Sequence, residues 1–185
     1  GYVRDNGLYT YNYISQNYDG KKDRRVEMTY HPDSFDMVAT PAFGDLGFPP
    51  ATTEQALAAL DPITALINVS FQPRDPEEPC GGPITTFDGR QLTELSLEYV
   101  RETNIRTHAW RGRGIECHVT LNRVAGYNEG ETGSNLSGID GPMKIFFAEA
   151  IEGMMIPVRI EVDSEDIGRV TLQTRLLELQ DIEVE

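Results

Sequence analysis

What the sequence lacks narrows its reading first. Among 185 residues there are only two cysteines, three histidines and one tryptophan. Positive charge is scarce: 16 Lys and Arg stand against 30 Asp and Glu, a formal net charge of -14. Such a surface repels nucleic-acid phosphates and anionic headgroups at long range, which disfavours nucleic acid as a partner. No run of 18 apolar residues occurs, so no transmembrane segment is expected. No secretory leader is visible, and the chain begins Gly1-Tyr2-Val3 without an initiator Met, as expected of a processed or trimmed chain. The Gly-x-Ser-x-Gly elbow, the His-Glu-x-x-His motif, the P-loop and the dinucleotide fingerprint are all missing. His31, His108 and His118 read as isolated polar-face or loop histidines. Acidic groups such as Glu77-Glu78 and Asp163 with Glu165 and Asp166 read as solvated faces, and the latter turn lacks the full ligand pattern of a calcium loop. The expectation is therefore no catalytic residue, no metal and no cofactor.

What is present is mostly strand. The chain is long enough for one domain with a real core. Tyr9, Tyr11 and Tyr13 recur at period two within 8–18, and Val26, Met28 and Tyr30 do so within 24–30. With Asp19-Gly20 between them, these predict a β-hairpin. Residues 31–50 are rich in Pro, Gly and Asp without a period and predict a long loop. Thr52 and Gln55 have capping-box spacing, and Asp61-Pro62 starts a second helix. The helical insertion spans about 53–70, with Ile63, Leu66, Ile67 and Phe71 as the apolar side of its second helix. Residues 72–83 form another loop. Beyond it, alternating segments at 95–100, 115–122, 145–151, 154–162 and 170–179 predict strands, and Glu129 to Gly141 a polar turn region. Glu152-Gly153 marks a hairpin, and Pro157 belongs at an edge or a bulge. Short turns between successive strands favour antiparallel pairing. The expected fold is mainly β: one domain over 1–185, a curved antiparallel sheet (a half-barrel or spiral) with the helices packed on its concave face.

The cysteines carry the clearest chemistry. Cys80 lies in a Pro-Cys-Gly-Gly loop, and Cys117 points to the core face of a strand while His118 points away. A bridge between them would close a loop of 37 residues and contribute about 3–4 kcal/mol by chain entropy. Two free thiols are the alternative; redox or zinc chemistry does not fit the spacing. A bridge implies an oxidising compartment. Phe87-Asp88-Gly89-Arg90 reads as a structural turn, with Arg90 free either to pair with a carboxylate or to hold an anionic ligand.

Several segments in order resemble a family. Asp61-Pro62-Ile63-Thr64-Ala65-Leu66 is followed by Pro79-Cys80-Gly81 and by Phe87-Asp88-Gly89-Arg90 with a strand ending Glu98-Tyr99. Cys117 then leads to Ala125-Gly126-Tyr127, and Ile156-Pro157-Val158-Arg159-Ile160 precedes Ile167-Gly168-Arg169-Val170. Over residues 55–178 this resembles the domain-of-unknown-function 3108 family of alphaproteobacterial envelopes. The resemblance implies an exported, periplasmic protein with a curved sheet like those of lipoprotein carriers, and it implies no enzymatic activity. Two departures stand out. Gln91-Leu92-Thr93 replaces a basic-aromatic start after the turn, and strands that relatives carry before the first hairpin are expected to be missing. Two roles follow as expectations. One is a non-enzymatic binding protein for a lipid, acyl chain or lipoprotein, with Phe146-Phe147, Met154 and Met155 lining the sheet concavity and Arg90 as a further candidate contact. The other is a structural or adaptor subunit that meets another envelope protein through an open strand edge.

Overall fold

A computed structural model of the chain describes residues 1–4, 7–18, 23–72, 74–130, 139–164 and 168–178. The strands are β1 (Tyr2–Arg4), β2 (Gly7–Tyr9), β3 (Asn12–Asn17), β4 (Arg24–Tyr30) and β5 (Phe35–Thr40). The helices α1 (Thr53–Ala58) and α2 (Pro62–Phe71) follow. The chain continues with β6 (Ile84–Phe87), β7 (Leu92–Arg106), β8 (Arg111–Ala125), β9 (Ile139–Ile151), β10 (Met154–Ser164) and β11 (Gly168–Gln173). Six strands form one open antiparallel sheet in the order β11-β10-β9-β8-β7-β6, as the alternating segments require. A second sheet has the order β3-β4-β5, and β1-β2 form a small ribbon.

Local signals translated directly into structure. The Thr52 side chain accepts from the Gln55 backbone, and Gln55 Oε1 accepts from Thr52 N–H at 2.9 Å, the two halves of a capping box. Asp61 Oδ1 accepts from Ile63 and Thr64 N–H, and its Oδ2 accepts from the Thr10 hydroxyl at 2.6 Å. This buried carboxylate starts α2 and ties the β1–β2 ribbon to it. The register of β9 on β10 shifts between Pro157 and Arg159, so the proline sits at a bulge inside the sheet, as a residue without an N–H must.

Three expectations are corrected. Residues 31–50 are not all loop: Phe35–Thr40 is strand β5, whose Met37 packs beside Met28 and Val26. Its alternation is only six residues long and is hidden among prolines and aspartates. The tyrosine series is not one strand either. Tyr9 ends β2 opposite Tyr2, the chain bends at Thr10 to reach Asp61, and Tyr13 belongs to β3. The strands also form three sheets rather than one, because the three-stranded sheet packs over α1 instead of joining the larger one. The turn at Asp19-Gly20 lies outside the described residues, as do 131–138 of the Gly-rich region and Glu165 to Ile167.

Two cores result. Val26 and Met28 of β4 meet Ala56 of α1, Phe87, Leu92 and Ala125. Burial pushes the Tyr30 hydroxyl at this layer up to about 12, helped by Asp61 and Tyr13 nearby. The larger core joins α2 to the six-stranded sheet through Ala65, Val69, Cys80, Ile84, Cys117, Val119, Ile145 and Phe147.

Candidate binding surface

Cys80 and Cys117 form a disulfide, with Cα atoms 6.1 Å apart, and both are buried. The bond joins the loop after α2 to the middle of β8, the position expected of a fastener between helix and sheet. Arg74 reinforces the same joint. Its guanidinium donates to the carbonyls of Pro79 and Val69 and lies 4.8 Å from the Phe147 ring centroid. Burial lowers its pKa below the ordinary arginine value.

The sheet face beneath α2 is full. Cys117, Val119 and Phe147 are almost wholly enclosed there. Phe146 and Phe147 cannot line one concavity, because consecutive strand residues point to opposite faces. Phe147 packs under α2, whereas Phe146 packs on the other face with Ile105, Ala148 and Val158. The Arg159 guanidinium covers Phe146 at 3.8 Å. Met155 is half-buried against the core under α2, and Met154 opens β10 beside the hairpin turn, opposite Ile151. The arrangement therefore does not assemble Phe146, Met154 and Met155 into a shared site.

The Phe87-Asp88-Gly89-Arg90 turn joins parts of the molecule. Phe87 is buried edge-on to Phe35, and Asp88 Oδ1 accepts from the N–H groups of Arg90 and Gln91. Gly89 has φ +101°, and a Cβ there would lie 2.6 Å from Val26 Cγ1, so only glycine fits. Arg90 donates through Nε to the Asp45 carbonyl at 3.0 Å and through Nη2 to Asn128 Oδ1 at 2.7 Å. It is a strap between two loops.

The face away from α2 carries charge pairs. Glu116 is buried, accepts from Arg101 at 2.9 Å, and lies 3.4 Å from His118 Nε2. Hydrogen bonds from Arg169 and then Lys144 hold the Asp163 carboxyl below its usual range. These carboxylates already have cationic partners within the chain.

Among the described residues, one surface that lacks cover is the outer side of α2. Ala65 and Val69 face the sheet, while Ile63, Leu66, Ile67 and Phe71 are 60%, 43%, 48% and 54% exposed. The side expected to pack on the sheet is therefore the solvent side. Small residues let the helix lie close to the disulfide and Phe147, and the large ones are turned outward. A helix apolar on both sides is ordinarily buried on both. Two grooves flank the stripe. One, of about 340 Å³, has Ile63 and Ile67 on one wall and Val3, Leu8 and Ile14 on the other. The second, of about 250 Å³, lies between Leu66 and the β10–β11 margin at Pro157, Ile160 and Leu172. Sequence periodicity found these helix residues but could not tell which of two apolar sides would meet the sheet.

No family model, curated protein or solved structure matches this chain, so the family resemblance rests on the quoted segments alone. Among the described residues, no helix is long and apolar enough to cross a membrane.

Proposed function

We propose that this protein is a non-enzymatic binding protein of the cell envelope, exported to the periplasm, that holds an acyl chain against the outer side of α2. The observation that carries the reading is the exposed stripe Ile63, Leu66, Ile67 and Phe71 with an apolar groove along each flank. Contiguous apolar surface of this kind marks an interaction site. Both grooves lie near or below the small end of the roughly 300–1,000 Å³ typical of drug-sized ligands, which suits a narrow chain. The disulfide supports an oxidising compartment. This reading moves the apolar site from the filled sheet face to the far side of the helix that fills it.

The test is a titration of the full chain with Nile red, a neutral apolar probe. Saturable binding is expected, weakened about tenfold by Leu66→Ser combined with Leu172→Ser, the loss of roughly 1.4 kcal/mol of apolar contact. Binding that is absent, or that ignores both substitutions, sinks the reading. An adaptor role is the second reading. It is favoured by β11, which pairs on only one side among the described residues and leaves Leu172 exposed for an added strand.

A further inference from the structure

The end of the β7–β8 hairpin holds a feature that the apolar surface does not use. A cavity of about 800 Å³ lies there, lined by Asn104, Arg106, Thr107, His108, Arg111 and Gln173. Arg106 and Arg111 stand directly opposite each other in the antiparallel register. Like charges in that position repel and destabilise the pairing. Elsewhere in the same hairpin Arg101 pairs with Glu116, Arg113 pairs with Glu102, and Arg123 lies over the Tyr127 ring. Among the described residues, Arg106 and Arg111 have no such partner.

The tip is fixed in place. Ile105 is wholly buried with Phe146 and Val158. Thr107 N–H donates to the Trp110 carbonyl at 2.8 Å, and Trp110 N–H donates to the Thr107 hydroxyl at 2.9 Å. The Trp110 indole N–H donates to the Arg113 carbonyl at 3.3 Å. His108 Nδ1 lies 3.4 Å from Gln173 Nε2, which links the tip to the end of β11. Gln173 is also a wall of the groove formed by Leu66, Pro157, Ile160 and Leu172. The cationic cavity and the apolar groove therefore adjoin.

We infer that the two take one ligand: a single anionic amphiphile, with a phosphate monoester between Arg106 and Arg111 and its acyl chain in the groove beside Leu66. The inference rests on the apolar-ligand reading above and adds the headgroup chemistry. Guanidinium forks match phosphate oxygens in geometry and charge. The net charge of -14 selects a dispersed ligand over a membrane. An anionic bilayer repels the whole surface, whereas one headgroup feels chiefly the arginines within a Debye length of about 8 Å.

Trp110 is the only tryptophan and belongs to the tip, so its fluorescence reports occupancy. The full chain is titrated with lauroyl lysophosphatidic acid below its micelle concentration, with monolauroylglycerol, with inorganic phosphate and with phosphatidylglycerol vesicles. Lysophosphatidic acid is expected to bind about tenfold or more tightly than the neutral monoglyceride, the worth of charge-assisted hydrogen bonds. Arg106→Gln with Arg111→Gln should erase that preference and leave Nile red binding intact. The melting temperature of the double variant should hold or rise, because a repulsion is removed; a fall would show that the protein itself holds the arginines and would overturn the inference. Equal affinity for the two lauroyl ligands overturns the headgroup assignment and spares the apolar site. Phosphate binding without amphiphile binding overturns the shared ligand, and tighter binding to vesicles than to dispersed lipid overturns the single-molecule form. Failure of Nile red and both lauroyl ligands together removes the apolar reading itself.

Discussion

The two sides of α2 are both apolar, yet they have opposite fates. Ala65 and Val69 are sealed against a disulfide and Phe147, while Ile63, Leu66, Ile67 and Phe71 face outward. Even the polar Ser70 is more deeply buried than any of those four. Folding thus uses the small residues of the helix and leaves the large ones for something else. Packing and exposed apolar surface reside on different sides of one ten-residue element, and substitutions can separate them.

The inner side should break first and hardest. Phe147→Ala removes a wholly buried ring from beneath the helix and should cost about 3–5 kcal/mol in urea denaturation. Replacing Cys80 and Cys117 together with alanine should cost about 3–4 kcal/mol, most of it from the freed loop of 37 residues in the unfolded state. Reductant should have a similar effect on the melting temperature, and a temperature unmoved by reductant would deny the bond its fastening role. Ala65→Leu tests the closeness of the joint. With Ala65 enclosed beside Cys80 and Cys117, the extra methylenes should cost about 1–3 kcal/mol by overpacking, despite leucine's good helix propensity.

Much of this inner architecture was legible in the sequence, because its signals are local. Thr52 and Gln55 sit three apart, Asp61 precedes Pro62, Glu152-Gly153 interrupts two alternating runs, and Cys117 falls on the core phase of its strand. Three features were not legible, two of them because they depend on distant chain. Strand β5 is defined by pairing with β4, not by its own six residues. The helix could not declare which apolar side it would bury until Phe147 and the disulfide fixed its distance from the sheet. The opposition of Arg106 and Arg111 follows from the turn closed by Thr107 and Trp110, in strand extensions beyond the alternating segments that the sequence shows. Phe146 and Phe147 are a different case: their alternation was readable, and it already excluded a common pocket.

The outer side should yield the smallest stability effect and the cleanest separation. Ile63→Ser exchanges two residues of nearly equal helix propensity at a position 60% exposed. Its effect on unfolding should stay within about 0.5 kcal/mol, as for an ordinary surface substitution. A loss much beyond that would mean that the stripe packs within the folded chain in solution and belongs to the core. A near-neutral result, paired with weaker Nile red binding, would place Ile63 in the surface that serves a ligand. The pairing matters more than either number. Phe147→Ala also weakens binding if the helix loosens, but only an outward residue can lose the probe while keeping the melting temperature.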